Sequence, residues 1–93
     1  MLVPLDLTAA DVNAEIVDAL SVDTYAEPGQ EAPPATAPLS VKISYAFKAL
    51  RNRHTQTADT FRLYADDAVT VDQKAAVSDD GVTFDRGELA TGP

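Results

Sequence analysis

Twice in its C-terminal half the chain spells the same phrase, thirteen residues apart: Asp66-Asp67-Ala68-Val69-Thr70-Val71-Asp72 and Asp79-Asp80-Gly81-Val82-Thr83-Phe84-Asp85. The shared pattern is Asp-Asp-small-Val-Thr-apolar-Asp. Physically it is a turn that feeds a strand. Aspartate bonds to nearby backbone and tolerates turn dihedrals, glycine supplies positive φ, and β-branched residues then favour extended chain. An echo this short makes no solenoid, but it punctuates a stretch whose hydrophobic period is two. Thr60-Phe61-Arg62-Leu63-Tyr64, Val69 to Val77 and Val82 to Leu89 alternate between the breaks. Three strands joined by short turns predict an antiparallel β-meander over 57–89. Phe61, Leu63, Val69, Val71, Ala75, Val77, Val82 and Phe84 are expected on one face. Thr70, Asp72, Lys74, Thr83 and Asp85 are expected on the wet one. Ala90 to Pro93 reads as a tail.

The N-terminal half has the other period. Val12, Ile16, Ala19 and Leu20 recur at helical spacing behind Thr8, an N-cap residue with Asp11 three positions on. This predicts a helix over 8–22, with Asp11 and Glu15 placed well for its dipole. Residues 26–38 carry four of the six prolines and predict an extended connector. A second helix is expected over 37–53, capped by Thr36, with Pro38 in its first turn. Leu39, Ile43, Ala46 and Leu50 fall at spacings of four, three and four along it. That is a short coiled-coil-like seam, and Val41, Tyr45 and Phe47 add apolar surface beside it. The expected architecture is α+β: one domain spanning 1–93, two short helices followed by a three-stranded meander, packed as a homo-oligomer. The Leu39–Leu50 helix is expected to cover the apolar face of the sheet with one stripe and to leave its second stripe for the next copy. Leu39, Ile43, Ala46, Phe47 and Leu50 are the candidate oligomer interface.

Composition narrows the function classes. The chain has 93 residues, three Phe, three Tyr and no Trp, so its large core-forming side chains are few and a shared core would help it. It has no cysteine, hence no disulfide, thiolate metal site or cysteine nucleophile. Its formal charge of −8 repels phosphate backbones, so nucleic acid is not an expected partner. No run approaches a membrane span, and Met1 to Asp6 lacks the basic start of a signal peptide.

The chemistry inventory is correspondingly thin. The Asp66-Asp67 and Asp79-Asp80 pairs offer carboxylates for calcium, yet lack the spacing and terminal Glu of an EF-hand; turn formation explains them better. His54 is the one histidine and lacks the partners of a metal site or catalytic base; a place at the dipole-favoured helix end suits it. Asp59, Asp72, Asp85 and Glu88 lie near strands, but paired-carboxylate hydrolysis needs a deep cleft. Lys42, Lys48, Arg51 and Arg53 form the one basic patch, suited to the helix dipole and to ion pairs with acidic residues of the sheet or a neighbour. No catalytic, cofactor or metal residues are expected, and no cofactor.

Five blocks stand in order along the chain: Asp11-Val12-Asn13-Ala14-Glu15-Ile16-Val17-Asp18-Ala19-Leu20, Asp23-Thr24-Tyr25-Ala26-Glu27-Pro28-Gly29-Gln30, Ala46-Phe47-Lys48-Ala49-Leu50-Arg51-Asn52-Arg53, Leu63-Tyr64-Ala65-Asp66-Asp67 and Val77-Ser78-Asp79-Asp80-Gly81. Together they resemble small virion proteins and C-terminal modules of tailed bacteriophages. The resemblance runs from about residue 8 to the end. It implies a non-enzymatic particle component of capsid-decoration or head-fibre type, a homotrimer located in the virion. Its implied partners are copies of itself and a major capsid or tail protein. The alternatives are a tail-appendage component, or a monomeric module that docks a host or viral protein.

Overall fold

The computed structural model describes residues 7–93. The expectations placed on Met1 to Asp6 lie outside the described residues. The described chain is α+β: helix α1 (Ala9–Val17), helix α2 (Leu39–Arg51), and strands β1 (His54–Gln56), β2 (Thr60–Tyr64), β3 (Val71–Asp79), β4 (Phe84–Arg86) and β5 (Ala90–Thr91).

Helix α1 starts as the sequence predicts. The Thr8 hydroxyl accepts from the Asp11 N–H and the Asp11 carboxylate accepts from the Thr8 N–H, each at 3.1 Å, a complete capping box. The helix ends in one wider turn of π geometry over Asp18–Val22, closed by the Asp23 N–H donating to the Asp18 carbonyl at 2.7 Å. The Tyr25 hydroxyl then donates to the Ala19 carbonyl at 2.8 Å, bracing the exit against the helix. No residue of α1 is buried.

Helix α2 begins two residues later than expected. Pro38 is its N-cap, and Thr36 does not cap it. Proline has fixed φ and no N–H, and it biases the residue before it away from helical dihedrals, so the helix starts behind it.

The sheet is antiparallel with order β1-β2-β3-β4, and β5 also pairs with β3. The expected three strands are therefore five. The polar His54-Thr55-Gln56 run pairs with β2, from His54 opposite Leu63 to Gln56 opposite Phe61. The expected tail supplies β5, with Gln73 opposite Thr91 and Lys74 opposite Ala90. Both Asp-Asp echoes are turns. The Asp67 carboxylate accepts from the Val69 and Thr70 N–H groups, and the Asp80 carboxylate from those of Val82 and Thr83, all at 2.7–2.8 Å. The residues after them, Ala68 and Gly81, both take positive φ, 60° and 88°.

The alternation expected along β3 fails at one point. Leu63 pairs with Gln73 but Tyr64 pairs with Val71, a bulge that leaves Asp72 as the extra residue. A bulge turns consecutive side chains toward one side, and Asp72 and Gln73 are both buried. Asp72 thus leaves the wet face assigned to it. Val69, Val82 and Phe84 are exposed and leave the apolar one.

The fully buried apolar residues, Leu63, Ala75 and Val77, share the core with Lys48, Asn52, Asp72 and Gln73. The cover over Gln73 is the proline-rich connector rather than the apolar stripe of α2. The Gln73 amide donates to the Gly29 and Glu31 carbonyls at 2.7 and 2.9 Å. Gln30 donates to the Val71 carbonyl at 2.7 Å, and the Ala32 N–H to the Thr91 hydroxyl at 3.1 Å. The result is long, 72 × 29 × 20 Å, with a radius of gyration of 19.6 Å, where a compact chain of this length has about 12 Å.

Candidate functional site

The inner side of α2 is fixed by Lys48, which is 2% exposed. Its ammonium donates to Asp72 Oδ2 and to the Pro28 carbonyl, both at 2.6 Å, and reaches the Gly29 carbonyl at 3.4 Å. Three donors meet three acceptors, which is what a buried ammonium requires. One turn on, the Asn52 amide donates to the Tyr64 carbonyl at 3.1 Å and to the Glu27 carboxylate. Val41, Ser44 and Tyr45 are half-buried on this same side. Burial, with Glu31 nearby, pushes the Tyr45 hydroxyl above its ordinary value.

Seating Lys48 inward turns the other stripe of α2 outward. Leu39, Ile43, Ala46, Phe47 and Leu50 are all exposed, Leu39 at 72% and Leu50 at 87%. The structure thus brings the candidate interface residues together on one face, where all five stay exposed, with the chain at 23–27 alongside Ile43 and Phe47. Helix α1 repeats the situation, with Val12, Ile16 and Leu20 also exposed. A groove of about 480 Å³ runs between the chain at 23–27 and α2. Tyr25, Ile43 and Phe47 give it apolar walls, and Glu27, Arg51 and Asp66 line its charged side.

Most of the basic patch is spent within the fold. Lys48 pairs with Asp72, and Arg51 with Asp66, which raises the Arg51 guanidinium above its ordinary value. Arg53 lies 4.3 Å over the Tyr64 ring and donates to the Ala68 carbonyl at 2.8 Å. Lys42 makes no ion pair among the described residues.

The remaining candidates are likewise committed or dispersed. Asp59 accepts from the Thr57 and Thr60 hydroxyls, which hold its carboxyl below the usual range. The turn N–H groups, with the Thr70 hydroxyl at Asp67, do the same for Asp67 and Asp80. Asp85 and Glu88 are exposed. His54 opens β1 rather than ending the helix, and stacks on Phe61 with ring centroids 5.4 Å apart. Among the described residues no three His, Cys, Asp or Glu side chains gather as a metal site. No described helix is long and apolar enough to cross a membrane.

Sequence reasoning missed the Lys48–Asp72–Gln73 cluster that orients this surface. Its one legible trace is that Lys48 continues the spacing of Val41 and Tyr45 on the side of α2 opposite the seam. The chain matches no protein-family model, no curated protein and no solved structure.

Proposed function

We propose that this chain is a structural subunit that works as a homo-oligomer, without catalysis of its own, in a virion of the tailed-phage kind. The observation that carries the assembly reading is the outer face of α2, where every large apolar side chain is more than half exposed. Contiguous exposed apolar surface of this kind marks an interaction site. Total area points the same way. The chain exposes 7107 Å², against roughly 5200 Å² expected for a folded monomer of this mass. The excess of about 1900 Å² is ample for the ~800 Å² per partner of a standard interface. The virion reading rests on the resemblance of the sequence blocks, which favours a decoration or head-fibre protein assembled as a trimer.

Light scattering at micromolar concentration tests the assembly. The expected result is a mass that is a multiple of 9.9 kDa, and a stable monomer refutes it. Leu50→Asp places a charge on the most exposed point of the stripe and is expected to dissociate the oligomer while leaving the circular dichroism of the subunit unchanged. Copy number by mass spectrometry of purified particles separates a head protein, present in many copies, from a tail component, present in few. The open edge of β1, which pairs only with β2, favours a second reading: a monomeric module that accepts a partner strand.

A further inference from the structure

The two unpartnered apolar faces of this chain differ in charge, and the difference is systematic. From residue 7 to residue 41 there is no lysine or arginine, while Asp11, Glu15, Asp18, Asp23, Glu27 and Glu31 are all acidic. Helix α2 carries no acidic residue; its Lys48 is buried against Asp72 on the inner side and its Arg51 is paired with Asp66, which leaves Lys42 as the basic residue beside the outer stripe. On α1, Asp11, Glu15 and Asp18 follow the same helical spacing as Val12, Ile16 and Ala19, one position before each. An acidic row therefore flanks the apolar row. On α2, Lys42 sits one position before Ile43 and makes no ion pair among the described residues.

The lengths also agree. Residues 9–22 make a helical arm of about 21 Å and α2 one of about 20 Å at 1.5 Å per residue. The arm does not lie on its own sheet; all of α1 is exposed. Its direction is held from behind, because Tyr25 ties the exit segment to Ala19 at 2.8 Å. Glu27 and Gln30 anchor the following residues to the sheet, at the Asp66 N–H and the Val71 carbonyl.

We propose that α1 of one copy docks on the outer face of α2 of a second copy, the acidic row of the arm along the Lys42 edge of the helix. The claim rests on the assembly reading above and adds which two surfaces meet. The contact joins unlike surfaces, so it closes either by reciprocal exchange in a twofold pair or head-to-tail around a ring. Both directions bury apolar stripes that the isolated chain leaves in water. The acidic row of α1 favours a helix that carries Lys42 and no carboxylate, and it disfavours α1 against α1.

The chain has no cysteine, which makes directed cross-linking clean. Two variants of the full chain are used: Ile16→Cys with Ile43→Cys, and Ile16→Cys with Phe47→Cys. All three positions are more than half exposed, so neither variant removes core. After mild oxidation of either one, the expected result on a non-reducing gel is a covalent dimer for the twofold pair or a ladder of covalent multimers for the ring. A cross-linked, fast-migrating monomer overturns the proposal, because the arm then folds onto its own α2. An oligomer by light scattering with no cross-link in either variant also overturns it, and leaves the assembly reading standing. A 9.9 kDa monomer by light scattering overturns both.

Discussion

Removing the Asp72 carboxylate is the sharpest test of how this fold is held. Lys48 and Asp72 have side chains 1% and 6% exposed and lie 2.6 Å apart. In Asp72→Ala the ammonium stays buried with only the Pro28 and Gly29 carbonyls for company. Breaking a buried pair in this way costs about 3–5 kcal/mol, because the surviving charge has lost its counter-ion and has no water to replace it. A chain of this length has on the order of 5–14 kcal/mol in total, so the loss is a large part of it. At about 4–8 °C per kcal/mol the midpoint falls by roughly 12 °C or more. Lys48→Met strands the opposite charge and two carbonyls and is expected to cost a similar amount. In the double variant no charge is stranded, so its cost falls well short of the sum, with a coupling of about 2 kcal/mol. Urea denaturation followed by far-ultraviolet circular dichroism, at one protein concentration for all four chains, measures each term. An Asp72→Ala chain within about 1 kcal/mol of the parent, or strict additivity in the cycle, refutes the reasoning.

Four further outcomes follow from the turns and the last strand. Ala68 holds a φ of 60° where its echo partner has Gly81, so Ala68→Gly is expected to stabilise by about 0.5–1 kcal/mol. Gly81→Ala is expected to destabilise by about 1 kcal/mol without a steric clash, and thermal melts distinguish the two signs. Asp67 and Asp80 have carboxyls depressed by turn hydrogen bonds. The unfolded chain therefore binds more protons as pH falls through the ordinary value of 3.8. Their contribution is complete above that value and is lost below it, as each depressed carboxyl titrates. Asp80→Asn keeps an acceptor for the Val82 and Thr83 N–H groups but cannot titrate, so its stability is expected to fall less steeply with acid than the parent's; parallel curves refute this. A Cβ at Gly92 would stand 2.6 Å from the Val71 carbonyl and 2.8 Å from that of Asp72. These neighbours are backbone that cannot swing aside, so Gly92→Ala is expected to cost about 1–3 kcal/mol and to raise hydrogen exchange at Lys74, Ala90 and Thr91.

What was legible in the sequence was whatever is decided locally. The Thr8 capping box, the α1 stripe and both Asp-Asp turns depend on residues within a few positions of one another, and each forms as predicted. What was illegible depends on distant partners. Asp72 looks like an outward residue in a regular alternation, and only the pairing of Tyr64 with Val71 reveals the bulge that turns it in. Lys48 resembles any basic residue near a helix end until Pro28, twenty residues away, is brought to it. The connector has the composition of a linker, yet its backbone carbonyls are the acceptors for Lys48 and Gln73, and proline-rich chain has carbonyls to spare because it forms no regular backbone ladder of its own. His54-Thr55-Gln56 and Ala90-Thr91 lack strand composition and become strands because β2 and β3 present open edges to them. The candidate interface was legible as a stripe. That it faces outward was not, because the choice between the two sides of α2 is made by Lys48.

The core is held largely by polar groups. Lys48, Asn52, Asp72 and Gln73 are buried through directional bonds, and such bonds add little net energy because water offers the same bonds to the unfolded chain. Their effect is geometric: a lysine that must reach Asp72 and Pro28 at once permits one rotation of α2 about its axis. That rotation sends the half-buried side toward the sheet and Leu39, Ile43, Phe47 and Leu50 away from it. Apolar burial, the dominant favourable term in folding, is confined within the chain to Leu63, Ala75, Val77 and the half-buried residues around them. The polar cluster thus specifies the orientation of a surface whose apolar burial comes on assembly, and association adds stability to a subunit that is already folded.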